Sequence, residues 1–580
     1  MMDLSSVPVK PARKFLPEEI VINDWSDIEK FYEELLEAEF SSLQDLEKWL
    51  KNRSELSAVL EEELAWRYIK MNIDTTDQSL SDAFNQFITN VQPHIAPKEN
   101  ELNIKLHDSP FFGELDDEKY KILKRSLIRQ IELFSEENVP LFTEMEQLQQ
   151  KFGAIMGAIS IEWEGKELTL QQSAKYLKDN DRSIREAIFK KRESVFWEVN
   201  ENTTITAKLQ ALLDQLLQLR AKIAKNAGYD NYLAYKFDAM ERFDYTIEDC
   251  QDFHAAIAEH IVPINKESAI RRKEELGYEQ LKPWDLEVDT KGRKPLEPFQ
   301  NGEELLEKSI TCFDQIDPFF GYCLRTMKTL GHLDLESKKG KAPGGFNYPL
   351  YEIGVPFIYM NAVGTHRDVV TMVHEGGHAI HSFLSKDLEL VEFKGLTSEI
   401  AELASMSMEL ISMEYWSVFF TDPDELKRAK ITQLEGVLKT LPWIACIDQF
   451  QHWIYANQNH TEEQRKEAWK EIYSRFSSGV VDYSGFEDSF AYAWQKQLHI
   501  FEVPLYYIEY GMAQLGAIAM WRNFKKDPEA TIANYKKALS LGYTKTIGEI
   551  YEAAGIKFDF SGDYIKELAG FIKDEIEKIN

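Results

Sequence analysis

The sequence predicts a mainly α-helical protein with a small β-sheet set beside one helix. Three observations carry that expectation. Apolar residues recur at three- and four-residue spacing through most of the chain, few segments read as strands, and glycine and proline gather at residues 338–350.

Residues 24–40, 42–73 and 120–134 read as long amphipathic helices whose many charges are solvated faces. Residues 158–170, "AISIEWEGKELTL", alternate polar and apolar side chains around Glu164-Gly165 and predict a hairpin. Helical spacing returns over 206–228. A soft boundary near 205 divides an N-terminal helical region, 1–205, from the remainder, 206–580. "KKGKAPGGFNYPL" (338–350) predicts a loop, and "GVPFIYMNAVG" (354–364) a strand whose early proline confines it to a sheet edge. Long helices then run to the C-terminus.

Hydrophobic residues make up 44% of the 580, enough for large cores. Asp and Glu number 98 against 67 Lys and Arg, a net charge of −31. Such a surface repels nucleic-acid phosphates and anionic membranes, so neither is an expected partner. Four scattered cysteines form no CxxC pair and no disulfide framework. No apolar leader segment and no run of 18 apolar residues is present, so a cytoplasmic location is expected.

The chemistry concentrates in "TMVHEGGHAIHSF" (371–383). Thr365 and Asp368 predict a capping box at the start of a helix over 366–385, which is apolar almost all round and therefore buried. His374 and His378, four apart, lie roughly 40° apart around the axis and can reach one ion. Glu375 points about 100° from His374, beside the ion, where a general base takes a proton from the attacking water. HExxH by itself arises by chance in at most about 4% of chains of this composition, so a third ligand is the stronger signal. "LTSEIAELASMSMEL" (396–410) supplies one: Ser398 caps a helix that presents Glu399 and Glu402 one turn apart. Two histidines and one glutamate leave a fourth zinc position open, the arrangement of a catalytic site. His381 and Leu384 stand where the metzincin pattern needs glycine and histidine. His381 reads as a packed or outer histidine, since a fourth protein ligand would close the site.

"HEGGHAIH" followed by "SEIAELASMSME" resembles the M3 family of zinc oligopeptidases, in its bacterial oligoendopeptidase F branch. So do "PFIYMNAVGTHRDVVTMVHEGGH", "LKPWDL" (281–286) and "YYIEYGMAQLGAIAMW" (506–521), with matches over most of residues 200–560. The resemblance implies two helical halves enclosing a deep channel, with 206–580 as the catalytic domain and one Zn²⁺ per chain. It assigns Glu402 as third ligand and Glu399 to an outer position that orients a ligand histidine. The family pattern HExGH matches Gly377, which lets another backbone approach, and leaves Gly376 free. A downstream histidine and a YxxY pair fall on His499, Tyr507 and Tyr510, with Tyr506 as a neighbouring candidate.

The expected activity is internal cleavage of short unstructured peptides, with Glu375 as the base. Strand 354–364 would bind the peptide by its exposed edge, through Phe357, Tyr359 and Asn361. An α-helical zinc carboxypeptidase and a non-catalytic zinc-containing peptide-binding protein are the alternatives. Oligomeric state is not legible.

Overall fold

The computed structural model describes residues 7–200 and 202–579. It is mainly helical, and seven helices matter most for the site: α1 (Leu43–Ile73), α2 (Ile247–His260), α3 (Gly302–Ile316), α4 (His366–Ser385), α5 (Ser398–Ser412), α6 (Pro423–Ala456) and α7 (Ile508–Phe524). The strands are β1 (Ser160–Trp163), β2 (Lys166–Thr169), β3 (Leu333–Glu336), β4 (Phe346–Tyr348) and β5 (Phe357–Ala362).

β1 and β2 form the expected hairpin, Ile161 opposite Leu168. Its two turn residues, Glu164 (φ 51°) and Gly165 (φ 74°), are both left-handed, which matches the twist of the flanking strands. The second sheet departs from expectation. Its order is β3-β5-β4, with β3 parallel and β4 antiparallel to β5. The segment read as a loop therefore contains a strand, and β5 is the central strand instead of an edge. Pro356 immediately precedes β5, where the missing N–H breaks no ladder bond.

α4 begins where its sequence dictates: Asp368 Oδ2 accepts from Thr365 N at 2.8 Å and from the Thr365 hydroxyl at 2.9 Å. α5 begins one residue earlier than expected, with Thr397 at the cap and Ser398 already helical. The Ser398 hydroxyl turns instead to Tyr506 and Glu509.

One continuous core extends from Ile122 to Ile576 and takes in the apolar residues of α4, α5 and α7. A second joins Leu16–Leu127 with Leu390 and Phe393, which lie between α4 and α5. α1 reaches the sheet through a third, small cluster of Ala65, Ile69, Leu350, Phe357 and Tyr359.

Candidate metal centre

α4 and α5 lie in unusually close contact because Gly377 has no side chain. A Cβ there would fall 2.7 Å from both Ala404 O and Ser405 Cα, so α5 backbone occupies that space. Gly376 is not free, contrary to expectation. A Cβ there would fall 2.6 Å from Cζ of Phe313 on α3. The adjacent glycines therefore seat the helix against two different neighbours.

The contact brings His374, His378 and Glu402 together. The two Nε2 atoms lie 3.4 and 3.7 Å from Glu402 Oε2, and the three donor atoms are all within 4.8 Å of one another. Donors about 2.0–2.1 Å from a tetrahedral ion sit about 3.3 Å apart, so the residues fit a zinc-sized cation with little adjustment. Neutral imidazole nitrogens and a carboxylate are also the right donor chemistry. Ser405 Oγ donates to Glu402 Oε2 at 2.9 Å, and Tyr506 OH reaches Oε1 at 3.5 Å.

His374 is oriented from behind. Its Nδ1 is 2.7 Å from Glu409 Oε1, and Gln433 Nε2 on α6 donates to Glu409 Oε2 at 2.8 Å. Sequence reasoning missed Glu409, though a signal existed: seven residues after Glu402 it lies about 20° from it around α5, whereas Glu399 lies about 60° away. Carboxylates therefore crowd two histidines in a buried place. Burial opposes charge on His374, but the bond to Glu409 and the charges of Glu402 and Glu375 outweigh it and push its pKa up to about 10. Burial, reinforced by Glu402 and Glu409, pushes Glu375 up to about 7. Burial and the neighbouring His374 hold His378 well below its usual value. A field that draws a proton onto His374 also favours a cation among these donors.

The structure also gathers His499, Tyr506, Tyr507 and Tyr510. The His499 ring centroid is 6.1, 4.6 and 5.9 Å from those of the three tyrosines in that order. Trp443 Nε1 donates to Gln497 Oε1 at 2.9 Å. The other end of that amide, Nε2, must then donate to His499 Nδ1, 2.6 Å away, which leaves the imidazole hydrogen on Nε2. Burial lowers the pKa of His499 to about 4, so the ring is neutral. The tyrosines follow Leu505, a buried residue with φ of 66°. That left-handed backbone is held by Gln451, which accepts from Leu505 N at 2.8 Å, and by Arg242, which donates to its carbonyl. Tyr506 is the tyrosine that touches Glu402, a closer link to the centre than its sequence position indicated.

Two expected placements are corrected, and a third is narrowed. Glu399 bonds no ligand histidine; its Oε1 accepts from Tyr245 OH at 2.6 Å. His381, read as packed or outer, is the packed one: it is 1% exposed and hydrogen-bonds no residue of the metal centre. Phe357 and Tyr359 are buried on a strand whose two edges are already paired, and Asn361 Nδ2 donates to Ala342 O and Gly344 O. These residues hold the sheet together. Both β4 and β5 pack against α4, and β4 is hydrogen-bonded to it: Asn347 Nδ2 donates to Glu375 O at 3.2 Å.

Comparison with known proteins gives the same answer from a different direction. Residues 175–570 match the sequence pattern of peptidase family M3, and residues 15–134 match the peptidase M3 N-terminal domain. An oligoendopeptidase F homolog of Borreliella burgdorferi is 24% identical over 445 residues, 74% of this chain and 72% of that protein. The solved structure of Pz peptidase A with inhibitor 2 superposes with a TM-score of 0.89 at 26% identity, covering 97% of this chain and 99% of that one. That of an oligoendopeptidase F from Bacillus anthracis gives 0.84 at 24% identity, covering 97% and 98%. With its two helices, its clustered donors and a family pattern that spans most of its length, this chain belongs to peptidase family M3.

Proposed function

We propose that the protein is a zinc oligoendopeptidase that cuts internal bonds of short, unstructured peptides. The observation that carries the reading is the convergence of His374 Nε2 and His378 Nε2 on Glu402 Oε2, with buried Glu375 one residue after His374. His374, His378 and Glu402 hold one Zn²⁺, which when bound supplies Lewis acidity to the scissile carbonyl. Glu375 takes the proton from the attacking water and passes it to the leaving amine. His499 Nε2–H and the hydroxyls of Tyr506, Tyr507 and Tyr510 are the donors available to the developing oxyanion.

The peptide lies along β4. Among the described residues β4 pairs with β5 alone, which leaves its outer edge for an extended chain, and Asn347 ties it to the backbone of Glu375. Main-chain pairing demands an extended substrate and tolerates many side chains. A folded protein would first have to unfold, at a typical cost of about 5–15 kcal/mol. The relatives called oligoendopeptidases support the same substrate class.

No helix among the described residues is long and apolar enough to cross a membrane, and the four cysteines are free and buried. A reducing compartment, the cytoplasm, is the proposed location. The test is mass spectrometry of products from a peptide library with both termini blocked, with and without a chelator. Internal, chelator-sensitive cleavage supports the reading. Dependence on a free C-terminus would transfer it to a carboxypeptidase, and binding without cleavage to a peptide-binding protein.

A further inference from the structure

A second constellation of metal-binding side chains lies where α2 crosses α6, helices that carry none of the ligands discussed above. α2 contributes Cys250 and, one turn on, His254; α6 contributes Asp448 and, one turn on, His452. Cys250 Sγ, a carboxylate oxygen of Asp448 and a ring nitrogen of His452 all lie within 4.8 Å of one another. Cys250 and Asp448 are fully buried and His452 is 8% exposed.

The hydrogen bonding of this cluster is incomplete in one particular way. His254 Nε2 is 2.8 Å from Asp448 Oδ2, so that oxygen is satisfied. Asp448 Oδ1 has no partner, and neither does either nitrogen of His452, although Nε2 stands 3.2 Å from Asp448 Oδ2. A simple buried carboxylate–imidazole pair would align a ring N–H on a carboxylate oxygen. Here His452 is close to Asp448 and misaligned for that bond, while a thiol completes the group. Buried polar atoms are rarely left without partners, and those left orphaned here are a carboxylate oxygen and imidazole nitrogens, which are metal donors.

We propose that Cys250, Asp448 and His452 bind a second divalent cation of the zinc type, with His254 as the outer partner that orients the Asp448 carboxylate. A thiolate and a carboxylate neutralise a dication, and binding releases the Cys250 proton to solvent. Of the other charged groups that act on Cys250, Arg242 is already paired with Glu509 at 2.7 Å, and Asp249 and Glu399 add negative charge, which favours a cation. Thiolate, carboxylate and imidazole together select zinc or cobalt over calcium or magnesium. Three ligands leave a fourth position, which a solvent molecule sealed in with the ion would fill; because all three ligands are buried, no peptide reaches it, so the role is structural and the ion fastens α2 to α6.

Full-length protein produced in zinc medium and in cobalt medium tests this. The zinc protein should hold two equivalents per chain, and Glu402→Ala should retain one. The cobalt protein should show a thiolate-to-cobalt charge-transfer band in the near ultraviolet, which the His374, His378 and Glu402 site cannot give because it has no sulfur donor. That band should survive in Glu402→Ala and vanish in Cys250→Ser, which should keep its peptidase activity and lose one equivalent. Cys312, Cys323 and Cys446 belong to no such group among the described residues, so the band reports on Cys250. One equivalent in the zinc protein with no charge-transfer band in the cobalt protein would overturn the proposal. The cobalt spectrum of the unsubstituted chain decides the matter even if Cys250→Ser does not fold.

Discussion

Glu409 Oε1 lies 2.7 Å from His374 Nδ1, and Glu399 touches Tyr245 instead of a histidine of the centre. A carboxylate behind an imidazole fixes its tautomer and raises its basicity toward a metal. Glu409→Ala should therefore lower metal affinity at this centre by about 10–100-fold, while Glu399→Ala leaves it within a few fold. Competition with a graded chelator series measures both. The reverse ranking would return the orienting role to Glu399.

Glu375→Gln keeps the size of the side chain and removes the base. It should retain the metal content of the unsubstituted protein and lose several orders of magnitude in kcat. Glu402→Ala should lose one equivalent of metal outright. Metal analysis beside single-turnover kinetics separates the two effects, and an active Glu375→Gln protein would exclude this residue as the base.

Both glycines of the metal helix should resist substitution, for different reasons. In an open helix Gly→Ala stabilises by about 1 kcal/mol. Gly377→Ala drives a Cβ into the Ala404–Ser405 backbone, which cannot swing aside, so it should lower the melting temperature and displace the metal. Gly376→Ala meets the Phe313 ring, so a Phe313→Leu background should recover much of its loss. Equal rescue of both glycine variants by Phe313→Leu would contradict this division.

Tyr→Phe at positions 506, 507 and 510 removes one hydroxyl each. If a hydroxyl stabilises the oxyanion, its loss should cost roughly 10²–10³ in kcat with KM and metal content little changed. Tyr506→Phe should in addition alter metal affinity, because that hydroxyl reaches Glu402. His499→Ala should behave like a lost donor, and Gln497→Leu should weaken it indirectly by releasing the tautomer. Full activity in all of these variants would leave the group as core packing.

His381 supplies a pH prediction. Burial lowers its pKa from 6.5 to about 3, so the folded protein excludes a proton that the unfolded chain takes up. Its contribution to stability is complete above pH 6.5 and falls away as the pH drops toward 3, by at most about 1.4 kcal/mol per pH unit. His381→Leu should therefore lose less stability than the unsubstituted protein between pH 6.5 and pH 4. Parallel urea titrations at these pH values check the slope.

The metal helix is legible from its sequence because every determinant is local: a capping box, an apolar surface and donors at i and i+4. α5 is legible as a helix, but its roles are not, since Glu399 and Glu402 differ only in what distant segments place beside them. Gly376 could not be interpreted without Phe313, which arrives from a helix far away in the chain. The sheet order is hidden for another reason. β4 is three residues long in a glycine-rich segment, too short to show alternation, yet its presence turns β5 from an edge into a centre. The tyrosine group depends on a left-handed leucine, a conformation that no propensity scale assigns to that residue type.

The connector between α4 and α5 places its apolar residues in the opposite end of the chain. Leu390 and Phe393 are part of the core built by residues 16–127, Val391 N donates to Ser54 Oγ at 2.8 Å, and Glu389 is bridged by Lys51 and Lys119. The two helices that hold the metal donors are thus tethered by a loop whose anchorage lies elsewhere. A fragment that begins after residue 134 would carry every candidate ligand and still lack the mould in which that loop is set. Such a fragment should be readily nicked by added protease between 386 and 397, and complementation with the separately produced N-terminal piece should restore both resistance and activity. In that sense the N-terminal helices act as an intramolecular scaffold for the catalytic apparatus, and evolutionary trimming of them would be felt first at the metal.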